Sequence, residues 1–103
     1  MGDPGCPIAR AVGVLDGKWT VLILRELFGG TRRFGEILRE LPGASPKTLT
    51  DRLRALESAG IVSREVYPEV PPRVEYSLTP DGRAFEPVMH ALRAWGEAHP
   101  EPV

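Results

Sequence analysis

Apolar side chains recur along this chain at two different intervals, and the change falls at Gly60. Before Gly60 the interval is helical. Ile8, Val12 and Leu15 mark the stripe of a first helix. Cys6-Pro7 opens it, since proline at the first helical position forfeits no hydrogen bond, and Asp16-Gly17 breaks it. Trp19, Leu22, Ile23 and Leu27 mark a second helix from Lys18 to Phe28, ended by Gly29-Gly30. A short helix from Gly35 to Leu41 turns Ile37, Leu38 and Leu41 inward, and Pro42-Gly43 stops it. Ser45-Pro46 is the strongest helix start in the sequence, a good N-cap followed by proline. That helix runs to about Ala59 on a stripe of Leu49, Leu53 and Leu56, and Gly60 ends it.

Beyond Gly60 the interval drops to two. Ile61 to Tyr67 and Arg73 to Leu78 alternate as strands do. The prolines at 68, 71 and 72 cannot serve a hydrogen-bond ladder, so the segment between the strands is a hairpin tip. Thr79-Pro80 caps a last helix with Phe85, Val88, Met89, Leu92 and Trp95 on one side, and Pro87 inside it is expected to kink or split it. Thr31 to Phe34 is too short to assign alone and fits a small strand. The predicted class is mainly α with a small β wing. Two helices joined by a tight glycine-containing turn, with a hairpin directly after them, make a winged helix-turn-helix. Trp19, Phe34, Phe85 and Trp95 fall on apolar stripes and read as core or dimer packing. The first and last helices carry more apolar surface than one small core needs, so dimerisation through these N- and C-terminal helices is expected.

A chain of 103 residues, 42% of them hydrophobic, makes one domain with a core. The domain is placed at residues 6–97, with 1–5 and 98–103 as flexible termini. The formal net charge of −1 would by itself argue against a nucleic acid partner, but the charge is segregated. Arg32, Arg33, Arg39, Lys47, Arg52 and Arg54 face only Glu36, Glu40 and Asp51 within the same stretch. Phosphates respond to such a local strip rather than to the total. The single cysteine, Cys6, rules out an intramolecular disulfide framework and fits a reducing compartment. No apolar run approaches the roughly 20 residues of a membrane span, and no secretory signal is visible, so a cytoplasmic, nucleoid-associated protein is expected.

The helix from Ser45 to Ala59 carries the chemistry. With its leucines inward, a 100° step per residue sets Lys47, Asp51, Arg54 and Ser58 outward, flanked by Thr48 and Thr50. A first turn bearing Ser45, Lys47, Thr48 and Thr50 suits a major groove, where lysine bonds guanine acceptors and hydroxyls serve bases or phosphates. Arg54, and Arg52 nearer the buried stripe, are placed to reach the DNA backbone. An ordinary amphipathic helix with a solvated charged face is the competing reading, and the hairpin directly behind it weighs against that. Arg32 and Arg33 are candidate phosphate clamps, or partners of Glu36. Arg73 at the hairpin tip is the candidate wing contact, or a partner of Glu69 or Glu75. Cys6, at a helix N-terminus that favours thiolate, is a candidate redox sensor, or simply a small buried residue. Enzymatic readings are weak: one cysteine and two scattered histidines, His90 and His99, form no recognised nucleophilic or metal-binding pattern, and no phosphate-cradling glycine loop is present. No cofactor is expected, and any small-molecule effector is unknown.

Several strings in the chain resemble the HxlR-type regulators. They include Cys6-Pro7, Gly17-Lys18-Trp19-Thr20, Ile23 to Leu27, Arg32-Arg33-Phe34, Ser45-Pro46-Lys47 and Leu49-Thr50. Arg52-Leu53, Leu56-Glu57, Gly60-Ile61-Val62, the unusual run from Tyr67 to Tyr76, and Leu78-Thr79 continue the match, which spans about Cys6 to Trp95. Gly35 stands where that family often has a polar cap. The resemblance implies a MarR-like, homodimeric, double-stranded-DNA-binding transcription factor. In it, Ser45 to Arg54 would form the recognition helix, Val66 to Tyr76 the wing, and the first and last helices the dimer interface. It also implies that the cysteine matching Cys6 is, in several members, a redox-reactive thiol. A repressor acting on a pseudo-palindromic operator is expected, with a winged-helix protein-interaction module as the alternative.

Overall fold

The computed structural model describes residues 5–100. Of the ends expected to be loose, 1–5 and 98–103, residues 1–4 and 101–103 lie outside the described residues, while Ala98 is helical and His99 stacks on Trp95 at 4.0 Å. Helix α1 spans Pro7–Leu15 and α2 spans Thr20–Phe28, followed by strand β1 at Arg32–Arg33 and helices α3, Phe34–Arg39, and α4, Pro46–Ser58. Strands β2, Val62–Tyr67, and β3, Arg73–Leu78, then lead to α5, Pro80–Arg83, and α6, Glu86–Ala98. The sheet is antiparallel in the order β1-β3-β2, with Arg32 opposite Tyr76 and Val62 opposite Leu78. The small strand anticipated near Thr31 is therefore real, and β3 holds it in place.

Several boundaries differ from those the periodicity predicts, each for a local reason. Helix α2 begins at Thr20 rather than Lys18, because the Thr20 hydroxyl donates to the Asp16 carbonyl at 2.6 Å and closes the turn before it. Helix α3 begins at Phe34, with Arg33 as its N-cap and Gly35 already inside the first turn, so the missing polar cap at Gly35 has no consequence. The last helix is split, as Pro87 leads one to expect, in the turn just before the proline. It breaks at Ala84-Phe85, and Pro87 lies in the first turn of α6, where its missing N–H is harmless. Its upstream piece, α5, is capped by Thr79, whose hydroxyl accepts from the Gly82 N–H at 3.1 Å.

The core is one cluster. Ile23, Leu24 and Leu27 of α2 and Leu49, Leu53 and Leu56 of α4 pack with Ile37, Leu41, Ile61, Val62, Tyr76 and Leu78. Leu24 lies outside the predicted stripe and is fully buried. A helix enclosed on more than one side buries a wider face than the amphipathic template allows. By contrast, α1 and α6 contribute no buried residue. Ile8, Val12, Leu92 and Trp95 are 75%, 58%, 48% and 63% exposed, large apolar side chains left uncovered on both helices. No helix among the described residues is long and apolar enough to cross a membrane.

Candidate nucleic-acid interface

Ser45 sets the start of α4. Its Oγ accepts from the Thr48 N–H and donates to the Thr48 hydroxyl, both at 3.0 Å. These two hydroxyls, expected to meet DNA, first serve the cap. The cap fixes the helix with its leucines buried and with Lys47, Asp51 and Arg54 exposed. Thr50 is half-buried beside them. The Lys47 ammonium donates to the Asp51 carboxylate at 2.8 Å across one helical turn.

That hydrogen bond, together with the positive charges of Lys47, Arg54 and Arg52, holds the Asp51 carboxyl below its usual range against the opposing effect of burial. The group is therefore ionised at neutral pH and sets one negative charge among the cations of α4. Asp51→Asn is expected to raise affinity for non-specific duplex DNA roughly fivefold, about the worth of one unit charge a few ångströms from a phosphate in water. Fluorescence anisotropy at fixed salt measures this. Unchanged or weaker binding would place Asp51 away from the phosphates.

Tertiary packing separates the arginines that the sequence groups together. Arg52 is half-buried. Its Nε is buried without a hydrogen-bond partner, and its guanidinium lies against Gly17 in the turn between α1 and α2. A Cβ on Gly17 would come within 2.7 Å of that Nε, so the approach needs glycine there, as does the backbone φ of +105°. An arginine at the edge of a buried stripe lays its aliphatic stem along apolar surface, and here that carries the charge away from the exposed face of α4.

Arg32 is likewise turned inward. It is half-buried, its Nη1 donates to the Thr31 carbonyl at 3.3 Å, and its guanidinium covers Gly29 at the C-terminal end of α2. Helix carbonyls attract a cation at that end. Arg33 points the other way. Its backbone N–H donates to the Glu36 carboxylate at 2.8 Å, while its side chain is exposed and makes no ion pair with any described residue.

Arg73 takes the paired alternative. It bridges Glu69 at 3.0 Å and Glu75 at 3.1 Å and lies 3.9 Å from the centre of the Tyr67 ring. Two carboxylates and an aromatic face thus hold the Arg73 guanidinium at the wing. Glu65 adds a further acid to the wing, and its hydrogen bond with Tyr67 pushes that phenol above its ordinary value.

Arg64 on β2 was missed by sequence reasoning. The available signal was an arginine at an inward step of the alternation, between Val62 and Val66. Cys6 occupies the N-cap of α1 and is half-buried, and its carbonyl accepts from the Arg10 N–H at 3.0 Å. Among the described residues no three His, Cys, Asp or Glu side chains gather as a metal site would require.

The family model for HxlR-like helix-turn-helix proteins matches residues 14–103. The HTH-type transcriptional regulator sll1512 of Synechocystis sp. (strain ATCC 27184 / PCC 6803 / Kazusa) is 59% identical over 91 residues, covering 88% of this chain and 67% of that protein. Among solved structures, the redox regulator HypR in its reduced form superposes with a TM-score of 0.89 at 42% identity, over 93% of this chain and 95% of that one. Diamide-treated YodB from Bacillus subtilis superposes with a TM-score of 0.77 at 39% identity, over 97% of this chain and all of that one.

Proposed function

We propose, since this chain belongs to the HxlR-like helix-turn-helix family, that it is a homodimeric, DNA-binding transcriptional repressor whose operator binding is switched at the Cys6 thiol. The observation that carries the reading is α4. It is a capped helix whose exposed face presents Lys47 and Arg54 around Asp51, beside a two-stranded wing. Ser45, Lys47, Thr48, Thr50 and Arg54 form the recognition surface, and Arg33 meets the DNA backbone from the start of α3. The folded unit is residues 6–97, and the protein acts in the cytoplasm on the nucleoid.

The exposed apolar faces of α1 and α6 support a dimer, since a second copy would cover Ile8, Val12, Leu92 and Trp95. Two-fold symmetry then sets two α4 helices into successive major grooves of a pseudo-palindrome, about 10 bp apart or a multiple of it. A structure of diamide-treated YodB and the designation of HypR as a redox regulator support a thiol switch. A disulfide needs two thiols, and this chain holds one cysteine. On oxidation the second sulfur therefore comes from another molecule: each thiol loses its proton, the S–S bond forms, and the oxidant takes up two electrons.

The test is binding to the DNA upstream of the protein's own coding sequence, with and without diamide, for wild type and Cys6→Ser. Wild type is expected to bind specifically and to lose binding on oxidation at least tenfold, while Cys6→Ser keeps it; mass spectrometry should find the modified thiol. A response that persists in Cys6→Ser removes the switch and leaves the regulator. Binding to duplex DNA that is indifferent to salt removes the regulator, because counterion release makes any phosphate-based contact salt-dependent.

A further inference from the structure

We infer that Arg64, on the wing strand β2, together with Arg54 of α4 forms a binding site for a backbone phosphate of DNA, in the cleft between recognition helix and wing. The inference rests on the reading of α4 as the recognition helix and adds to it the path of the DNA strand. In B-DNA the sugar-phosphate backbone is the ridge between a major groove and its neighbouring minor groove. A protein with a helix in one groove and a hairpin at the next must straddle that ridge, and the strand passes between the two elements.

The protein has a cleft at that place. About 330 Å³ in volume, it is lined by Thr50, Arg54 and Glu57 of α4, Arg64 of β2, Tyr76 of β3 and Phe34. Thr50, Arg54 and Glu57 lie along one ridge of α4 at helical spacing, so one edge of the cleft follows the helix.

The position of Arg64 in the sheet is unusual. Val62, Arg64 and Val66 share one face of β2 and lie opposite Leu78, Tyr76 and Val74 of β3. Tyr76 and Leu78 are buried, so this is the face turned to the core. Along β2 that face changes from Val62, 2% exposed, to Val66, 49% exposed, and Arg64 sits at the change. An arginine at an inward step would be costly if it were enclosed. Here it is exposed, and it opens into the cleft.

Among the cations of α4 and the wing, the charge left available selects the same two residues. Lys47 is paired with Asp51, and Arg73 is held by Glu69 and Glu75. Arg54 and Arg64 make no ion pair with any described residue, even though Glu57 lines the same cleft. Glu57 lies farther along α4 from its N-terminus than Arg54 and would repel an anion at that end, which places the phosphate toward Thr50. The wing tip, with Glu65, Glu69 and Glu75 around a committed Arg73, is poorly suited to phosphate. The wing thus contacts DNA with the strand that flanks α4, not with its tip.

The experiment measures affinity for operator DNA as a function of salt for wild type, Arg64→Gln, Arg73→Gln and, as a charge-matched control, the exposed Arg83→Gln of α5. Thermal melts of each variant verify folding. Arg64→Gln is expected to weaken binding about tenfold and to lower the slope of log affinity against log salt by about 0.9 for each phosphate it no longer neutralises. Replacing operator phosphates one at a time by neutral methylphosphonate should reveal one per half-site whose removal costs wild type more affinity than it costs Arg64→Gln, which keeps only the Arg54 contact to it. An Arg64→Gln line parallel to wild type, or the slope change appearing in Arg73→Gln instead, overturns the inference and leaves the recognition-helix reading intact. Loss of salt dependence in wild type itself overturns both.

Discussion

Gly82→Ala is expected to destabilise the protein more than any other single-methyl addition in the described chain. Gly82 is buried in α5, and a Cβ there would overlap the carbonyl oxygen of Ile61 and come within 3.1 Å of Leu78 Cδ2. The obstacle is backbone, and it is tied down: the Ile61 carbonyl accepts from the Thr79 N–H at 3.0 Å, and the Thr79 hydroxyl donates to the neighbouring Gly60 carbonyl at 2.6 Å. The Gly82 N–H closes the same knot by donating to Thr79 Oγ1. Moving Ile61 aside would loosen the junction where β2 begins, β3 ends and α5 starts. Overpacking in a tight interior costs about 1–3 kcal/mol, occasionally more, and each hydrogen bond stretched adds about 0.5–1.5 kcal/mol. A loss near 3 kcal/mol corresponds to a fall in Tm on the order of 12–24 °C for a domain of this size. A circular-dichroism melt at fixed protein concentration measures it, and a shift under about 4 °C, or roughly 1 kcal/mol, would mean that α5 can slide off the sheet at little cost.

The largest functional effect is expected from Lys47→Ala and Arg54→Ala. Both side chains are exposed and neither touches the core, so the melting temperature should stay within a few degrees of wild type. A side chain that reads a base edge is worth about 1–3 kcal/mol, or roughly tenfold to a hundredfold in affinity for each contact. In a two-fold complex each substitution acts twice. Lys47→Ala should lower specific affinity and relax discrimination at one operator position. Arg54→Ala should weaken all sequences alike and flatten the salt dependence. Normal operator binding by both folded variants would remove α4 as the recognition helix.

These two predictions depend on different kinds of information. The exposed face of α4 follows from the sequence alone. Helical spacing of Leu49, Leu53 and Leu56, a Ser-Pro start and a glycine stop define the helix, and geometry then turns Lys47 and Arg54 outward. The change of period at Gly60 located the wing, and the apolar excess on α1 and α6 was visible as residues with no evident core to join. Nothing comparable marks Gly82. Its φ needs no glycine, and the carbonyl that forbids a side chain belongs to Ile61, distant along the chain.

The same division runs through the arginines. That the stretch from Arg32 to Arg54 is basic is a property of the sequence, and so is the identity of the longer helices and of the two hairpin strands, because amphipathic period, caps and breakers act on neighbours within a few residues. Which of those cations remains free to meet a phosphate was decided only by tertiary structure. Gly17 draws Arg52 inward, the end of α2 takes Arg32, and Glu69 and Glu75 hold Arg73. Arg64, unremarkable as one residue in a strand, is left unpaired in a cleft with Arg54. A guanidinium on a long flexible stem can settle against any surface within several ångströms. Its partner is therefore set by which distant segments the fold brings beside it, and local pattern carries no record of that.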